Sequence, residues 1–105
     1  QIYLKESEKI YSYRYKEDKN INDLYAILVA QVLQKKANDA NKTISKILDI
    51  DNQNGNTYLA KTIIEIYQFK FKKAKRSFYL AKSLDNKSIQ SKSIIKEISK
   101  IIKYF

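Results

Sequence analysis

The chain has 105 residues, with 21 Lys and Arg against 11 Asp and Glu and a formal net charge of +10. This length is enough for one small domain with a modest core, so we expect a single domain over 1–105. The sequence has no Cys and no His, which excludes disulfides, thiolate zinc sites and the usual imidazole acid or base. It has no Pro and only one Gly, Gly55, so little in it would interrupt a helix.

These exclusions predict a protein that is not an enzyme and that holds no catalytic residue, metal or cofactor. No apolar run approaches the ~20 residues that a membrane-spanning helix needs, so we predict no transmembrane segment. The chain opens at Gln1 without a Met, directly in a helical pattern, and we expect a fragment of a longer protein. A targeting signal would then lie outside it, and the lack of Cys fits the cytoplasm and the periplasm equally. The many Ile, Lys, Asn and Tyr residues are typical of an AT-rich genome, which suggests a bacterial protein.

The first predicted helix covers about 2–17, within an N-terminal segment 1–20. Tyr11, Tyr13 and Tyr15 lie close together in it. Because Tyr combines an apolar ring with a polar tip and is enriched at interfaces, these rings either line a partner-binding surface or belong to the core. Ile10 and Tyr13 precede Ile44 and Ile47 by one period of the repeat described next, so this helix is a candidate for the second half of a truncated repeat.

Four further helices are predicted at about 22–36, 38–49, 56–69 and 71–84, and they form a repeat. Segment 21–54 aligns with segment 55–88 without a gap, which gives a 34-residue period. The positions that define the repeat are small or apolar: Ala26, Ala40, Ile44 and Ile47 in the first segment, and Ala60, Ala74, Phe78 and Ala81 in the second. A fixed period of this length is typical of helical repeat proteins.

Each repeat has the pattern of two helices packed on one another. Leu59, Ile63, Ile66 and Tyr67 fall on one stripe of a helix, and Phe71, Ala74, Phe78 and Ala81 fall on one stripe of the next. The small Ala residues would let the two helices approach closely. Asp-Asn pairs at 51–52 and 85–86 predict the turns after each repeat. We therefore predict antiparallel helical hairpins.

This pattern resembles the tetratricopeptide repeat (TPR) family. Ala74-x3-Phe78, with Ala81 three residues on, matches the second-helix motif of that family, and Leu59-Ala60 echoes the first. The leading Trp of the family is replaced by Asn22 and Asn56, and the spacing from the first-helix small residue to the second-helix Ala is about two residues longer. The resemblance implies an all-α fold, an α–α superhelix of two to three antiparallel hairpins.

The resemblance also implies a scaffold that binds another protein, as a peptide or helix, in a groove lined by the first helix of each hairpin. Candidate groove residues are Ile27, Gln31 and Gln34 in the first repeat, and Lys61, Ile64, Glu65 and Gln68 in the second. Ile27 and Ile64 are alternatively packed against neighbouring helices. Thr57 and Lys61 do not reproduce the residues with which some TPR domains clamp chaperone carboxylates.

A basic run suggests a second function. Lys70, Lys72, Lys73, Lys75 and Arg76 alternate with aromatic residues, as in surfaces that bind nucleic acid. The helical phase places Phe71 and Phe78 in the core stripe and the Lys residues on the solvated face, so we rank nucleic-acid binding below protein binding.

The last predicted helix, about 88–103 within segment 89–105, has an apolar stripe opposite a row of Lys. The stripe consists of Ile94, Ile95, Ile98, Ile101, Ile102 and Phe105. We interpret it as a capping helix, because a terminal repeat must cover the last core face. A helix lying on an anionic membrane surface is the alternative. A third function for the whole chain follows, that of a capping module that stabilises a longer protein.

Overall fold

The computed structural model describes residues 2–84 and 89–103, with side chains described for residues 3–84 and 96–103. Within these ranges the chain is all-α, as the sequence predicts. The helices are α1 (Ile2–Asp18), α2 (Ile21–Leu33), α3 (Ala37–Ile50), α4 (Gly55–Tyr67), α5 (Phe71–Leu84) and α6 (Ile89–Ile102).

The chain divides into two compact units, each with three helices. The first, Gln1–Asn52, holds α1, α2 and α3, and the second, Gln53–Phe105, holds α4, α5 and α6. In the first unit α2 contacts both α1 and α3; in the second, α5 contacts both α4 and α6. The boundaries of α4 and α5 follow those of α2 and α3 at the same 34-residue offset. The period found in the sequence is therefore also the period of the helices.

The same capping bonds begin the first helix of each hairpin. The side-chain oxygen of Asn20 accepts a hydrogen bond from the backbone N–H of Asn22 at 2.9 Å, and Asn54 accepts one from Asn56 at 2.9 Å. Asn is among the preferred residues at this position because its oxygen satisfies an N–H that the helix leaves free. Local sequence thus determines where α2 and α4 begin.

The same turn ends these two helices. Lys35 and Phe69 have positive φ angles of 60° and 59°. The N–H of the following residue then donates to a carbonyl five residues back, Lys36 to Gln31 at 2.9 Å and Lys70 to Glu65 at 2.8 Å. This is a Schellman motif, which usually has Gly or Asn at the left-handed position. The helices end two to three residues before the predicted ends at about 36 and 69, because Lys and Phe are not residues from which such a turn is predicted.

The cores follow the predicted stripes in the second helix of each hairpin. Ala40, Ile44 and Ile47 of α3 are buried in the first unit. In the second unit one apolar cluster joins α4, α5 and α6, and its members are Leu59, Ala74, Phe78, Ala81, Ile98 and Ile102. Ala26 and Ala60 are only half-buried.

Three of the six apolar side chains predicted to form the stripe of α6 are among the described residues. Ile98 and Ile102 belong to the core of the second unit, whereas Ile101 is exposed, as are Lys96 and Lys100. The side chains of Ile94, Ile95 and Phe105, and the predicted turn at 85–86, lie outside the described residues. α6 thus packs two of its apolar side chains on its own unit.

Candidate functional site

The carboxylate of Glu8 joins α1 to the end of α2 and to the turn that follows. Gln31 Nε2 donates to Glu8 Oε2 at 3.1 Å, and Gln34 Nε2 donates to Glu8 Oε1 at 3.0 Å. Lys36 Nζ lies 3.1 Å from Glu8 Oε1, close enough for both a hydrogen bond and an ion pair. Gln31 also accepts a 2.6 Å hydrogen bond from the Thr43 hydroxyl of α3. One polar network therefore links all three helices of the first unit.

These contacts change the acidity of Glu8. Burial by itself would raise its pKa, because a desolvated carboxylate is less stable than a desolvated acid. The hydrogen bonds from Gln31, Lys36 and Gln34, together with the positive charge of Lys36, outweigh burial and lower the pKa of Glu8 below its ordinary value of 4.5. Glu8 is therefore a stable anion at neutral pH.

The second unit repeats part of this network with a different residue. Glu65 of α4 occupies the position of Gln31 and accepts a 2.6 Å hydrogen bond from the Ser77 hydroxyl of α5. Lys61 Nζ lies 3.5 Å from the other carboxylate oxygen of Glu65. The buried charge of Glu65 is thus paired from within its own helix.

The structure places most of the predicted groove residues in the interior. Ile64 is 0% and Glu65 4% exposed, and Ile27 and Gln31 are also buried. The prediction that Gln31 and Glu65 face outward was wrong, and for Ile27 and Ile64 the burial agrees with the alternative interpretation, in which they pack against neighbouring helices. For α2 the reason is that it packs on both α1 and α3. The prediction assumed a single buried stripe, but the helix is covered on two sides. Gln34, Lys61 and Gln68 are half-buried.

An exposed apolar surface lies instead on α1. Tyr3, Ile10 and Tyr13 are 81%, 56% and 67% exposed, and their spacing of seven and three residues places them on one stripe of the helix, here called the α1 stripe. Ile10 and Tyr13 thus differ from their counterparts one period later, Ile44 and Ile47, which are buried.

The three clustered tyrosines fall on different sides of α1. Tyr13 belongs to the α1 stripe, whereas Tyr11 and Tyr15 are half-buried. The Arg14 guanidinium lies 5.3 Å from the centre of the Tyr11 ring, and Lys19 Nζ lies 5.1 Å from that of Tyr15. Both distances allow cation–π attraction. The sequence left open whether these rings lie at the surface or in the core, and the structure places Tyr13 at the surface.

A groove that the sequence did not suggest lies beside the α1 stripe. It is an open cavity of about 390 Å³, here called the lysine groove, lined by Lys5, Glu8, Lys9, Ser12, Tyr13, Lys16 and Lys36. All of these except Lys36 lie on α1, at a helical spacing that a search of the sequence for basic stripes could have found. Lys36 could not have been found in this way, because it comes from the turn between α2 and α3.

The basic run of the second unit also differs from expectation in part. Phe78 is buried, as its phase predicts, but Phe71 is exposed and Phe69 is 79% exposed. The two rings meet edge to face with centres 6.1 Å apart. Phe71 is the first residue of α5, and the buried apolar stripe of this helix begins one turn later, at Ala74. Lys72, Lys73 and Arg76 are exposed, as predicted.

Charge is divided unequally between the two units. The second has twelve Lys and Arg against three Asp and Glu, a net +9, and the first has nine against eight, a net +1. Within the described ranges no group of acidic side chains is placed to hold a metal ion. No helix in those ranges combines the length and the apolar character needed to cross a membrane.

Comparisons with known proteins found no matching protein family, curated protein or solved structure.

Proposed function

We propose that this chain is a non-catalytic scaffold of TPR-like helical hairpins that binds a segment of another protein. The observation that carries the proposal is the α1 stripe, where Tyr3, Ile10 and Tyr13 expose large apolar side chains in a single row. Exposed apolar side chains aligned on one side of a helix are typical of interaction sites, and Tyr is among the side chains that contribute most to binding energy.

The architecture supports the proposal. A 34-residue period shared by sequence and helix boundaries is what a TPR-like array requires, and the hairpin α4–α5 packs through Ala74 and Ala81. We extend the proposal to an α–α superhelix in which α6 acts as the cap. The absence of Cys and His from the sequence supports a binding function over a catalytic one.

A second candidate function is nucleic-acid binding by the second unit. The observation in its favour is that Phe69 and Phe71 are exposed next to Lys72 and Lys73 in a unit of net charge +9. Exposed rings among cations can stack on bases while the cations attract phosphate. We rank it second because Arg, which makes most of the bidentate contacts to phosphates and bases, occurs in this unit only at Arg76.

The experiment that tests the scaffold compares three baits in a nuclease-treated cell lysate. The baits are the wild-type chain, the double variant Ile10→Ser/Tyr13→Ser in the α1 stripe, and the control Val29→Ser/Leu33→Ser. The control removes two exposed apolar side chains of α2 in the same unit. Retained proteins are quantified by mass spectrometry after a wash at about 1 M salt, where the Debye length is about 3 Å.

We expect a discrete protein to be retained by the wild type and the control and to be lost from the α1 double variant. Retention by all three baits would contradict the α1 stripe as the binding surface. Nucleic acid retained from a parallel lysate without nuclease, with no protein left after the salt wash, would favour the second candidate function.

A further inference from the structure

The lysine groove has a regular geometry that suggests what binds there. Lys5, Lys9 and Lys16 are exposed on one face of α1, spaced by four and seven residues. At 1.5 Å per residue these spacings correspond to about 6 Å and about 10.5 Å along the helix axis. Lys36 stands at the side of this row, where the turn after α2 passes α1.

Most of the positive charge of the groove is not neutralised by the protein. Glu8 is the acidic residue in its lining, and it is already bound by Lys36, Gln31 and Gln34. Among the described residues, Lys5 and Lys16 have no acidic partner within 4.0 Å. Lys9 lies 3.9 Å from Glu6, and this pair is largely exposed to solvent, where such pairs contribute little. Three ammonium groups are thus available to a ligand.

The concentration of charge is local. The first unit as a whole has a net charge of only +1, yet four of its nine basic residues line this groove with a single acidic residue. Such clustering produces a positive potential that attracts an acidic ligand to one place and not to the unit in general. The groove is therefore a specific feature and not a consequence of the overall charge.

We propose that the lysine groove binds an extended acidic segment of the partner protein, with Asp or Glu at alternate positions. In an extended chain, residues two apart are about 6.6 Å from each other, which matches the rise from Lys5 to Lys9. The next two carboxylates of the alternating pattern lie about 6.6 Å and about 13 Å beyond the second one, on either side of the rise of about 10.5 Å from Lys9 to Lys16, and the long flexible side chain of Lys16 spans the difference. This inference rests on the proposed scaffold function, and it names the chemistry of the partner.

An acidic protein segment fits this groove better than nucleic acid does. Tyr13 belongs both to the groove and to the α1 stripe, so the cations and the apolar row are continuous. An extended acidic segment would place its carboxylates toward the Lys residues, and Tyr13 at the edge of the groove offers an apolar ring to the side chains that flank them. A phosphate backbone has a uniform charge and would be attracted more strongly to the second unit, whose net charge is +9.

The test measures binding of a short fluorescein-labelled peptide of alternating Glu and Leu to the full chain by fluorescence anisotropy. The groove variant is Lys5→Gln/Lys9→Gln/Lys16→Gln. The matched control, Lys72→Gln/Lys73→Gln/Arg76→Gln, removes the same charge from exposed positions of α5. Circular dichroism verifies that each variant is helical. We expect the groove variant to bind about tenfold more weakly or worse, and the control to change affinity by less than about threefold.

A charge reversal keeps the test decisive if the triple variant does not fold. Lys9→Glu/Lys16→Glu should lose the Glu-Leu peptide and gain affinity for a Lys-Leu peptide of the same length. Equal weakening by the groove and control variants would overturn the proposal, because it would show attraction to the overall charge. So would tighter binding of oligothymidylate, or of phosphatidylserine vesicles, than of the peptide through the groove lysines.

The outcome is separable from that of the scaffold proposal. If the peptide does not bind at the groove but a partner is still captured through Ile10 and Tyr13, the acidic-segment inference is wrong and the scaffold stands. If the peptide binds at the groove but no partner depends on the α1 stripe, the groove does bind acidic segments and the proposed scaffold function of the α1 stripe is wrong.

Discussion

Gln31 and Glu65 lie one repeat period apart at equivalent points of α2 and α4, and each accepts a 2.6 Å hydrogen bond from a hydroxyl twelve residues further along the chain. The amide and the carboxylate nevertheless have different neighbours. Gln31 also donates to the carboxylate of Glu8, whereas Glu65 is paired with Lys61. The neighbour determines which of two similar side chains can occupy the same position of the repeat.

The first prediction follows from this difference. Gln31→Glu should destabilise the first unit by about 1–3 kcal/mol, because it replaces a hydrogen bond to Glu8 by two carboxylates in contact. Glu65→Gln, the same exchange in reverse, should cost less than about 1 kcal/mol, since the amide oxygen still accepts from Ser77. Urea denaturation followed by circular dichroism measures both. Equal costs would show that the link between Glu8 and Gln31 is not important for stability.

The second prediction concerns acid stability. Because the folded-state pKa of Glu8 is lowered, its contribution to stability is fully present above the ordinary pKa of 4.5 and is lost as the pH falls through the lower folded-state value. Glu8→Gln should therefore be less stable than the wild type at pH 7, by about 1–2 kcal/mol, and the difference should narrow below about pH 4.5. Thermal unfolding as a function of pH tests this.

Glu17→Gln, at an exposed position of the same helix, serves as the control for Glu8→Gln. It should differ from the wild type by less than about 0.5 kcal/mol at any pH. A difference between wild type and Glu8→Gln that stays constant with pH would mean that Glu8 stabilises the unit by packing and not by charge.

The third prediction concerns a buried hydroxyl in α4. Among the described residues Thr57 Oγ1 has no hydrogen-bond partner, whereas Thr62 Oγ1 donates to the Tyr58 carbonyl at 2.8 Å. Thr57→Val keeps the shape and removes an unsatisfied polar group, so it should stabilise the chain by up to about 1 kcal/mol. Thr62→Val should destabilise it by about 1 kcal/mol. Denaturation midpoints that move in the same direction would contradict the assignment.

The fourth prediction concerns the left-handed residues of the two turns. Lys35→Gly should stabilise the chain by about 0.5–1 kcal/mol, because Gly adopts a positive φ without a steric cost. Phe69→Gly removes the same steric cost but also the edge-to-face contact with Phe71, so its net gain should be smaller than the backbone contribution alone. Lys42→Gly, at an exposed position inside α3, should cost about 1 kcal/mol and is the matched control. If Lys35→Gly were as harmful as Lys42→Gly, the turn would not restrict φ as described.

The residues of α3 and α5 show what could be predicted from a single sequence. Ala40, Ile44 and Ile47, like Ala74, Phe78 and Ala81, recur at helical spacing, and all six are buried. These stripes could be identified because the rest of the surface of each helix is largely polar. The apolar residues therefore mark the side that packs. The N-caps Asn20 and Asn54 are equally local signals.

The buried faces of α2 could not be predicted in the same way. α2 is apolar around most of its circumference, and its packing on both α1 and α3 covers positions such as Ile27 and Gln31 that a one-sided helix would expose. The number of other helices that pack against a helix is a property of the folded chain. It cannot be predicted from the spacing of apolar residues within that helix. The part of the predicted groove that lies on α2 was misplaced for this reason.

The helices, their period and the polar and apolar faces of α3 and α5 could be predicted from the amino-acid sequence, because these depend on residues within about one or two turns of each other. Which surfaces remain open depends on the packing of the folded chain. Glu8 meets Lys36 across 28 residues of sequence, and the α1 stripe stays exposed while its counterparts in α3 are covered. Contacts between distant segments depend on how helices pack, and that packing determines which side chains of the chain remain at its surface.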